Sequence, residues 1–174
     1  MRRERYGEAL ELFERGTQLP QSLGAGIWNH CKHIPLRYRM ALCLEALGRR
    51  EEAELIYRYI TGTDVEYFSN MHLPELPYYQ ALSYDRLGDP LAARAVATRY
   101  RRLWSEIDGK KDNGFFATTP FFMPFVDNAA RMRRSYALYL NGLLSSYFGD
   151  ACAREQLRES YALNNDRLTA LLYL

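Results

Sequence analysis

The residues best suited to bind a metal ion are grouped at positions 30–33, where two histidines flank a cysteine and a lysine. Imidazole and thiolate are the usual ligands of Zn²⁺, but a structural zinc site needs four ligands at recognisable spacing. His72 is the only other histidine, and no CxxC or HxxxH pattern accompanies the group. We therefore predict no metal site, and interpret this segment as a polar loop that enters a helix at Pro35.

Catalysis would need a nucleophile or a carboxylate pair in a recognisable pattern. The chain contains no GxSxG, HExxH, GxxxxGK[ST] or GxGxxG motif. Glu51, Glu52 and Glu54 lie together at the predicted start of a helix, where negative charge complements the helix dipole. That placement is typical of a solvated helix end. The chain alone is thus predicted to be no enzyme and to carry no cofactor.

Two basic stretches raise the question of nucleic-acid binding. They comprise Arg94, Arg99, Arg101, Arg102, Lys110 and Lys111, and then Arg131, Arg133 and Arg134. Acidic residues lie close to the first stretch, and the whole chain has 23 Lys and Arg against 21 Asp and Glu. Because nucleic-acid-binding domains normally show a strong basic excess, we interpret these residues as a charged outer face and predict no nucleic-acid partner.

Composition places the chain among ordinary globular proteins. Its 174 residues are 48% hydrophobic and 25% charged, with 14 tyrosines. It has no run of about 18 apolar residues, so no membrane span is predicted. Three scattered cysteines fit a reducing compartment, which favours a cytoplasmic location. Cys43 and Cys152 fall within apolar helical patterns and are predicted to fill the core.

An internal repeat organises these residues. Six residues recur 40 positions later: Tyr38, Ala41, Leu42, Leu47, Gly48 and Ala53 return as Tyr78, Ala81, Leu82, Leu87, Gly88 and Ala93. In a third, looser copy Gly142 precedes Gly149 by the same seven-residue step. Each copy is predicted to form a helical hairpin. The glycine would end the first helix in the left-handed conformation, and the small residues would let paired helices approach closely.

The repeat resembles the tetratricopeptide repeat, which has a small residue on its first helix and Ala-x3-Phe on its second. The corresponding pairs are Ala9/Phe13, Ala53/Tyr57, and the reduced forms Ala93/Ala97 and Ala153/Leu157. The family tryptophan is missing, and the spacing exceeds the usual value of about 34. The resemblance implies a diverged, all-α, antiparallel helix-hairpin solenoid of about three and a half repeats, interrupted by a Phe-rich loop.

The predicted organisation is one domain over residues 1–174. Its parts are a half-repeat at 4–16, repeats at 35–60, 75–104 and 130–163, an inserted loop at 105–128 and a C-terminal helix at 165–174. The loop strings around residues 19–26, 72–79 and 114–125 resemble the helical C-terminal region of large bacterial proteins with a sandwich-like, carbohydrate-enzyme-like N-terminal part. This resemblance implies a piece of a longer polypeptide. The alternative is a self-contained protein with a docked C-terminal helix.

The inserted loop contains five phenylalanines, which cannot all face water. Phe121, Phe122 and Phe125 are therefore predicted either to plug the solenoid by covering apolar surface or to contribute to a ligand site. The plug is the favoured interpretation.

Tyrosines supply the other candidate binding surface. In hairpin repeats of this kind the first helices line a concave groove, and Tyr and Arg are enriched in protein interfaces. The groove candidates are Tyr38, Arg39, Glu45, Tyr78, Tyr79, Asp85, Arg86, Tyr136, Tyr139 and Tyr147. The alternative is that several of these tyrosines pack against the next hairpin and expose only their hydroxyl groups.

Two functions follow from these features. The first is a non-catalytic scaffold whose groove holds a protein, a peptide or another domain of the same polypeptide. The second is an accessory domain that supports the catalytic part of a carbohydrate-active enzyme, with the Phe-rich loop near the sugar.

Overall fold

The computed structural model describes residues 5–18, 33–64, 75–107, 129–165 and 167–173, which form helices joined by turns. Within these ranges there is no strand, so the predicted all-α class is confirmed. The α-helices are α1 Tyr6–Gly16, α2 Ile34–Ala46, α3 Arg50–Thr61, α4 Leu76–Arg86, α5 Pro90–Ser105, α6 Ala129–Phe148 and α7 Ala153–Leu163. A 3-10 helix, Leu168–Tyr173, follows them where a C-terminal helix was predicted.

The chain divides into two compact units, Met1–Ala97 and Thr98–Leu174. In the first unit α2 packs against α1, α3 and α4, and α3 also packs against α4. In the second unit α6 packs against α7, which in turn packs against the 3-10 helix. Neighbouring helices thus bury each other's apolar faces within each unit. No helix in the described ranges is both long and apolar enough to cross a membrane.

Three turns share one backbone geometry at the repeated glycines. Gly48, Gly88 and Gly149 have φ values of +78°, +80° and +74°. After α2 the amide of Gly48 donates to the carbonyl of Glu45 at 3.0 Å, and the next amide donates to Leu44 at 2.8 Å. The same pair of bonds follows α4 and α6. This is the Schellman motif, in which a left-handed residue ends the helix, and the prediction for the repeated glycine is confirmed.

The small residues that precede these glycines lie where helices approach closely. Ala41 and Ala81 are fully buried, as is Ala93 in α5. A Cβ atom built on Gly142 would lie 2.9 Å from the Cγ and Cδ2 atoms of Leu157, a residue of α7. Real Cβ atoms do not approach so closely. Gly142 is therefore required for the observed packing of α6 against α7.

An amide side chain closes the end of α3. Gln80, in α4, is 2% exposed, and its Nε2 donates to carbonyl oxygens at the C-terminal end of α3. The acceptors are Ile60, Thr61 and Thr63, at 3.1, 3.3 and 2.7 Å. The last carbonyl groups of a helix have no partner within the helix, so this amide supplies hydrogen bonds that buried carbonyls need.

The second unit repeats this arrangement. The Nδ2 of Asn141 in α6 donates to the carbonyl of Trp104, near the end of α5, at 3.2 Å. Gln80 directly precedes Ala81, and Asn141 directly precedes Gly142. An amide thus occupies the same repeat position in both units.

The two cysteines predicted to be buried have different surroundings. Cys43 in α2 is fully buried, as predicted. The prediction for Cys152 is wrong, because this residue is exposed and directly precedes α7. The turn after Gly149 is longer than the other two turns: α3 and α5 begin two residues after their glycine, whereas α7 begins four residues after it. Cys152 therefore lies in the turn.

Replacement of Gly48 by alanine tests the left-handed turn. The Cβ atom would meet no neighbour within 4 Å, so the expected loss of about 1–2 kcal/mol comes from the backbone conformation alone. Gly7→Ala is the control, since Gly7 is equally uncrowded, lies in α1 and lacks a positive φ. It is expected to be neutral or stabilising. Urea unfolding of both variants checks the prediction, and equal midpoints would contradict it.

Candidate functional site

Four tyrosine rings connect three helices of the first unit. Tyr57 in α3 lies 5.8 Å from Tyr38 in α2, measured between ring centroids, and Tyr38 lies 5.5 Å from Tyr79 in α4. The rings of Tyr79 and Tyr78 are 5.2 Å apart and nearly perpendicular. All four side chains are buried. These spacings are those of favourable aromatic pairs, so the rings form a rigid layer, here called the tyrosine layer.

An ion pair joins the ends of two first helices beside this layer. The Nη1 of Arg86, the last residue of α4, lies 3.0 Å from the Oε2 of Glu45 in α2. The side chains are 48% and 28% exposed, respectively. Such partly solvated pairs contribute at most about 1 kcal/mol to stability, so the pair mainly holds two charged groups at fixed positions.

Two recesses border this ion pair, and Glu45 and Arg86 line both of them. The first, about 400 Å³, is also lined by Tyr6, Leu42 and Ala46 and is called the mixed recess. The second, about 360 Å³, is also lined by Arg50, Glu54 and Tyr57 and is called the polar recess. Each volume suits a side chain or a small polar group.

The phenol groups beside the ion pair stay protonated. Burial raises the pKa of Tyr57 strongly, and the charge of Glu45 raises it further. Burial also raises the pKa of Tyr38, although the guanidinium of Arg86 partly offsets this rise. For Arg86 burial lowers the pKa, but Tyr38 and Glu45 raise it more, so the net shift is upward. Near neutral pH the site therefore contains neutral phenols beside a charged guanidinium.

The structure brings together part of the predicted groove. Tyr38, Glu45 and Arg86 are neighbours, and Tyr78 and Tyr79 extend the tyrosine layer behind them. Because these tyrosines are buried, a partner would contact the partly exposed Glu45 and Arg86 side chains beside them.

The two remaining candidates of the first unit lie outside this cluster. Arg39 is half-buried, and its Nη1 donates to the carbonyl of Pro35 at 3.0 Å. Asp85 is exposed beside Arg86.

The groove candidates of the second unit form a separate set. The guanidinium carbon of Arg167 lies 5.1 Å from the ring centroid of Tyr136 and 5.4 Å from that of Tyr139. Tyr139 is only 1% exposed. Tyr147 is half-buried, and its ring contacts Phe148 edge-on at 5.1 Å. These rings pack within the second unit, beside residues that follow α7.

Sequence reasoning did not single out as site residues three that line the polar recess. Tyr57 belonged to the Ala-x3-aromatic element, which indicated packing but not the position of its hydroxyl group. Arg50 follows the repeated Gly48 by two residues, and Glu54 lies in the acidic group assigned to a solvated helix end. Tertiary packing decides which of these side chains surround a cavity.

Other candidate chemistry has no site in the described part of the chain. No group of three or more His, Cys, Asp or Glu residues there could hold a metal ion. His30, Cys31 and His72 lie outside the described residues, as do Phe121, Phe122 and Phe125 of the inserted loop. Glu51 and Glu52 are exposed in the first turn of α3, and a hydrogen bond from Arg49 lowers the pKa of Glu52.

Two residues of the basic stretches form ion pairs in the second unit. Arg101 pairs with Asp150, and Arg134 pairs with Glu159 at 2.8 Å.

No protein-family model, curated protein or solved structure matches this chain significantly.

Proposed function

We propose that this chain is a non-catalytic binding scaffold that holds a segment of a partner protein, or of another domain of its own polypeptide. The observation that carries the proposal is the Glu45–Arg86 ion pair, which lines two recesses of about 400 and 360 Å³ on the first unit. The ion pair lies at predicted groove positions. A partner segment would place neighbouring side chains in the two recesses.

The tyrosine layer supports binding because it preorganises the site. Rings from α2, α3 and α4 contact one another in sequence, so these three helices are held in register before any partner arrives. A preformed surface reduces the ordering cost that opposes association. The exposed guanidinium and carboxylate of the ion pair then select for partners with complementary polar groups.

The chemistry of the site favours binding over catalysis. The carboxylate of Glu45 is engaged by Arg86, and burial keeps the Tyr57 phenol protonated. Neither group is then suited to act as a general base near neutral pH, because catalytic bases are tuned toward the working pH.

For the architecture we propose a diverged tetratricopeptide-like solenoid within a longer bacterial polypeptide. Its support is the recurrence of one turn geometry at Gly48, Gly88 and Gly149, and of an amide at positions 80 and 141. The parent polypeptide rests on the resemblance of the loop strings alone.

Partner capture tests the proposal. The tagged chain is incubated with lysate of its source organism, and bound proteins are quantified by mass spectrometry. The double variant Glu45→Gln/Arg86→Gln is expected to lose its specific partner by about tenfold or more, because both recess walls change. Its unfolding midpoint should hardly move, since the pair is half-exposed.

The matched control is Glu159→Gln/Arg134→Gln, which removes another exposed ion pair between two helices, at 2.8 Å, in the second unit. It should retain the partner. Equal retention by both double variants would show that the first unit does not carry the binding surface.

A further inference from the structure

We propose that the polar recess is a carboxylate-binding subsite, in which the Tyr57 hydroxyl and the Arg50 guanidinium hold an acidic group of the bound segment. This inference rests on the proposed binding function and adds the chemistry of the ligand. It draws on two features of the recess: a buried hydroxyl that forms no hydrogen bond of ordinary geometry, and a guanidinium that forms no ion pair with a described residue.

The buried hydroxyl is that of Tyr57. The residue is 1% exposed, and its hydroxyl oxygen forms no hydrogen bond of ordinary geometry with any described residue, although the Glu45 carboxylate lies near enough to raise its pKa. A buried polar group without a partner is unfavourable, and such groups are rare in folded proteins. Because Tyr57 also lines the polar recess, a group placed in this recess can supply the missing hydrogen bond. The protonated phenol is then available as a donor.

The cation is Arg50, the first residue of α3. The other charged groups that line the recess have partners: Glu45 pairs with Arg86 at 3.0 Å, and Glu54 pairs with Arg58 at 3.6 Å. Arg50 forms neither a hydrogen bond nor an ion pair with a described residue. The recess is thus lined by two arginines and two glutamates, and the exposed Arg50 guanidinium is the cation among them that is available to an anionic ligand.

The lining selects a singly charged anion. A phenol and a guanidinium together present donors that match the two oxygens of a carboxylate. Two carboxylates, Glu45 and Glu54, line the same recess and would repel a doubly charged phosphate more strongly than a carboxylate. A neutral amide would leave the Arg50 charge without a counter-ion. The carboxylate can come from an acidic side chain or from the C-terminus of a peptide.

Titration of the full chain with model carboxylates, followed by NMR, tests the inference. The probes are N-acetylglutamate N-methylamide, with a side-chain carboxylate, and N-acetylleucine, with a terminal one. The neutral N-acetylglutamine N-methylamide and inorganic phosphate are the comparison probes. We expect saturable shifts of the Arg50 side-chain signal and of amides in the first turn of α3 with at least one carboxylate. The carboxylate probe that binds more tightly shows whether the subsite prefers an acidic side chain or a peptide C-terminus.

Variants assign the effect to the two residues. Arg50→Gln is expected to weaken carboxylate binding about tenfold, and Tyr57→Phe by about threefold or more, as for the loss of a charge-assisted hydrogen bond. Arg15→Gln makes the same charge change at the opposite end of α1 from Tyr6 and should bind as the unaltered chain does. The unfolding midpoint of Tyr57→Phe should stay unchanged or rise, because the removed hydroxyl forms no hydrogen bond of ordinary geometry with a described residue.

Several outcomes would overturn the inference. They are the absence of saturable shifts, equal affinity for the neutral amide, tighter binding of phosphate, equal weakening by Arg15→Gln, or a lowered midpoint for Tyr57→Phe. Failure here is distinguishable from failure of the proposed function. If partner capture still depends on Glu45 and Arg86 while the carboxylates do not bind, only the carboxylate subsite is wrong.

Discussion

Replacement of Tyr139 by alanine is expected to lower the free energy of unfolding by about 3–5 kcal/mol, the cost typical of truncating a large buried aromatic residue. Tyr139 was a groove candidate, but it is only 1% exposed in α6. Arg167 lies over its ring at 5.4 Å, so truncation also removes a contact that helps to hold the residues after α7. Urea unfolding followed by circular dichroism measures the loss.

Tyr147→Ala is the matched control, since Tyr147 lies on the same helix but is half-buried. Its truncation removes an edge-on contact with Phe148 and should cost about 1–2 kcal/mol. If Tyr139→Ala costs no more than Tyr147→Ala, the packing of Tyr139 within the second unit is wrong. Tyr139 would then be a surface residue, as the groove prediction requires, and a candidate for partner contact.

The second large effect is expected for Gln80→Met, at about 2–4 kcal/mol. Methionine has nearly the same length and shape, but it cannot donate to the three carbonyl groups at the end of α3. One of these hydrogen bonds is fully buried and the others are partly buried, so water replaces them incompletely. The unfolding midpoint in urea should fall, and amide hydrogen exchange should accelerate at the end of α3.

The same substitution at Gln156 provides the control. Gln156 in α7 is half-buried, and its Oε1 has no hydrogen-bond partner in the described part of the chain. Gln156→Met removes an unsatisfied polar atom, so its effect should lie within about 0.5 kcal/mol of zero or be stabilising. A similar loss for both variants would mean that the Gln80 amide contributes shape alone and does not cap α3.

The sequence by itself was sufficient to predict that helices end at the repeated glycines, although it missed the longer turn before α7. Gly48, Gly88 and Gly149 mark helix ends because a left-handed residue is needed there and glycine adopts that conformation without a steric penalty. This requirement is local, so it can be recognised in one segment without knowledge of the rest of the chain. Pro90 similarly marks the first residue of α5, where its missing amide hydrogen costs nothing.

The repeat also predicted which positions would be small and that helices approach closely there, but not which neighbouring side chain each one meets. Ala41 and Ala81 are fully buried, and Gly142 admits no Cβ because Leu157 lies 2.9 Å away. The amide position at 80 and 141 went unrecognised because the first copy has Met40 there and the later copies differ in type. Two amides of different type in three copies form too weak a pattern to be recognised without the hydrogen bonds that they make.

Only the tertiary structure decided which side chains surround the recesses. Glu45 and Arg86 are 41 residues apart, and their contact depends on the packing of α2 against α4. Successive helical residues point about 100° apart, so a small change in helix rotation would separate the pair or expose Tyr57. The burial of Tyr38 and Tyr139 depends in the same way on neighbouring helices. Helices and turns follow from local conformational preference, whereas the site follows from long-range packing.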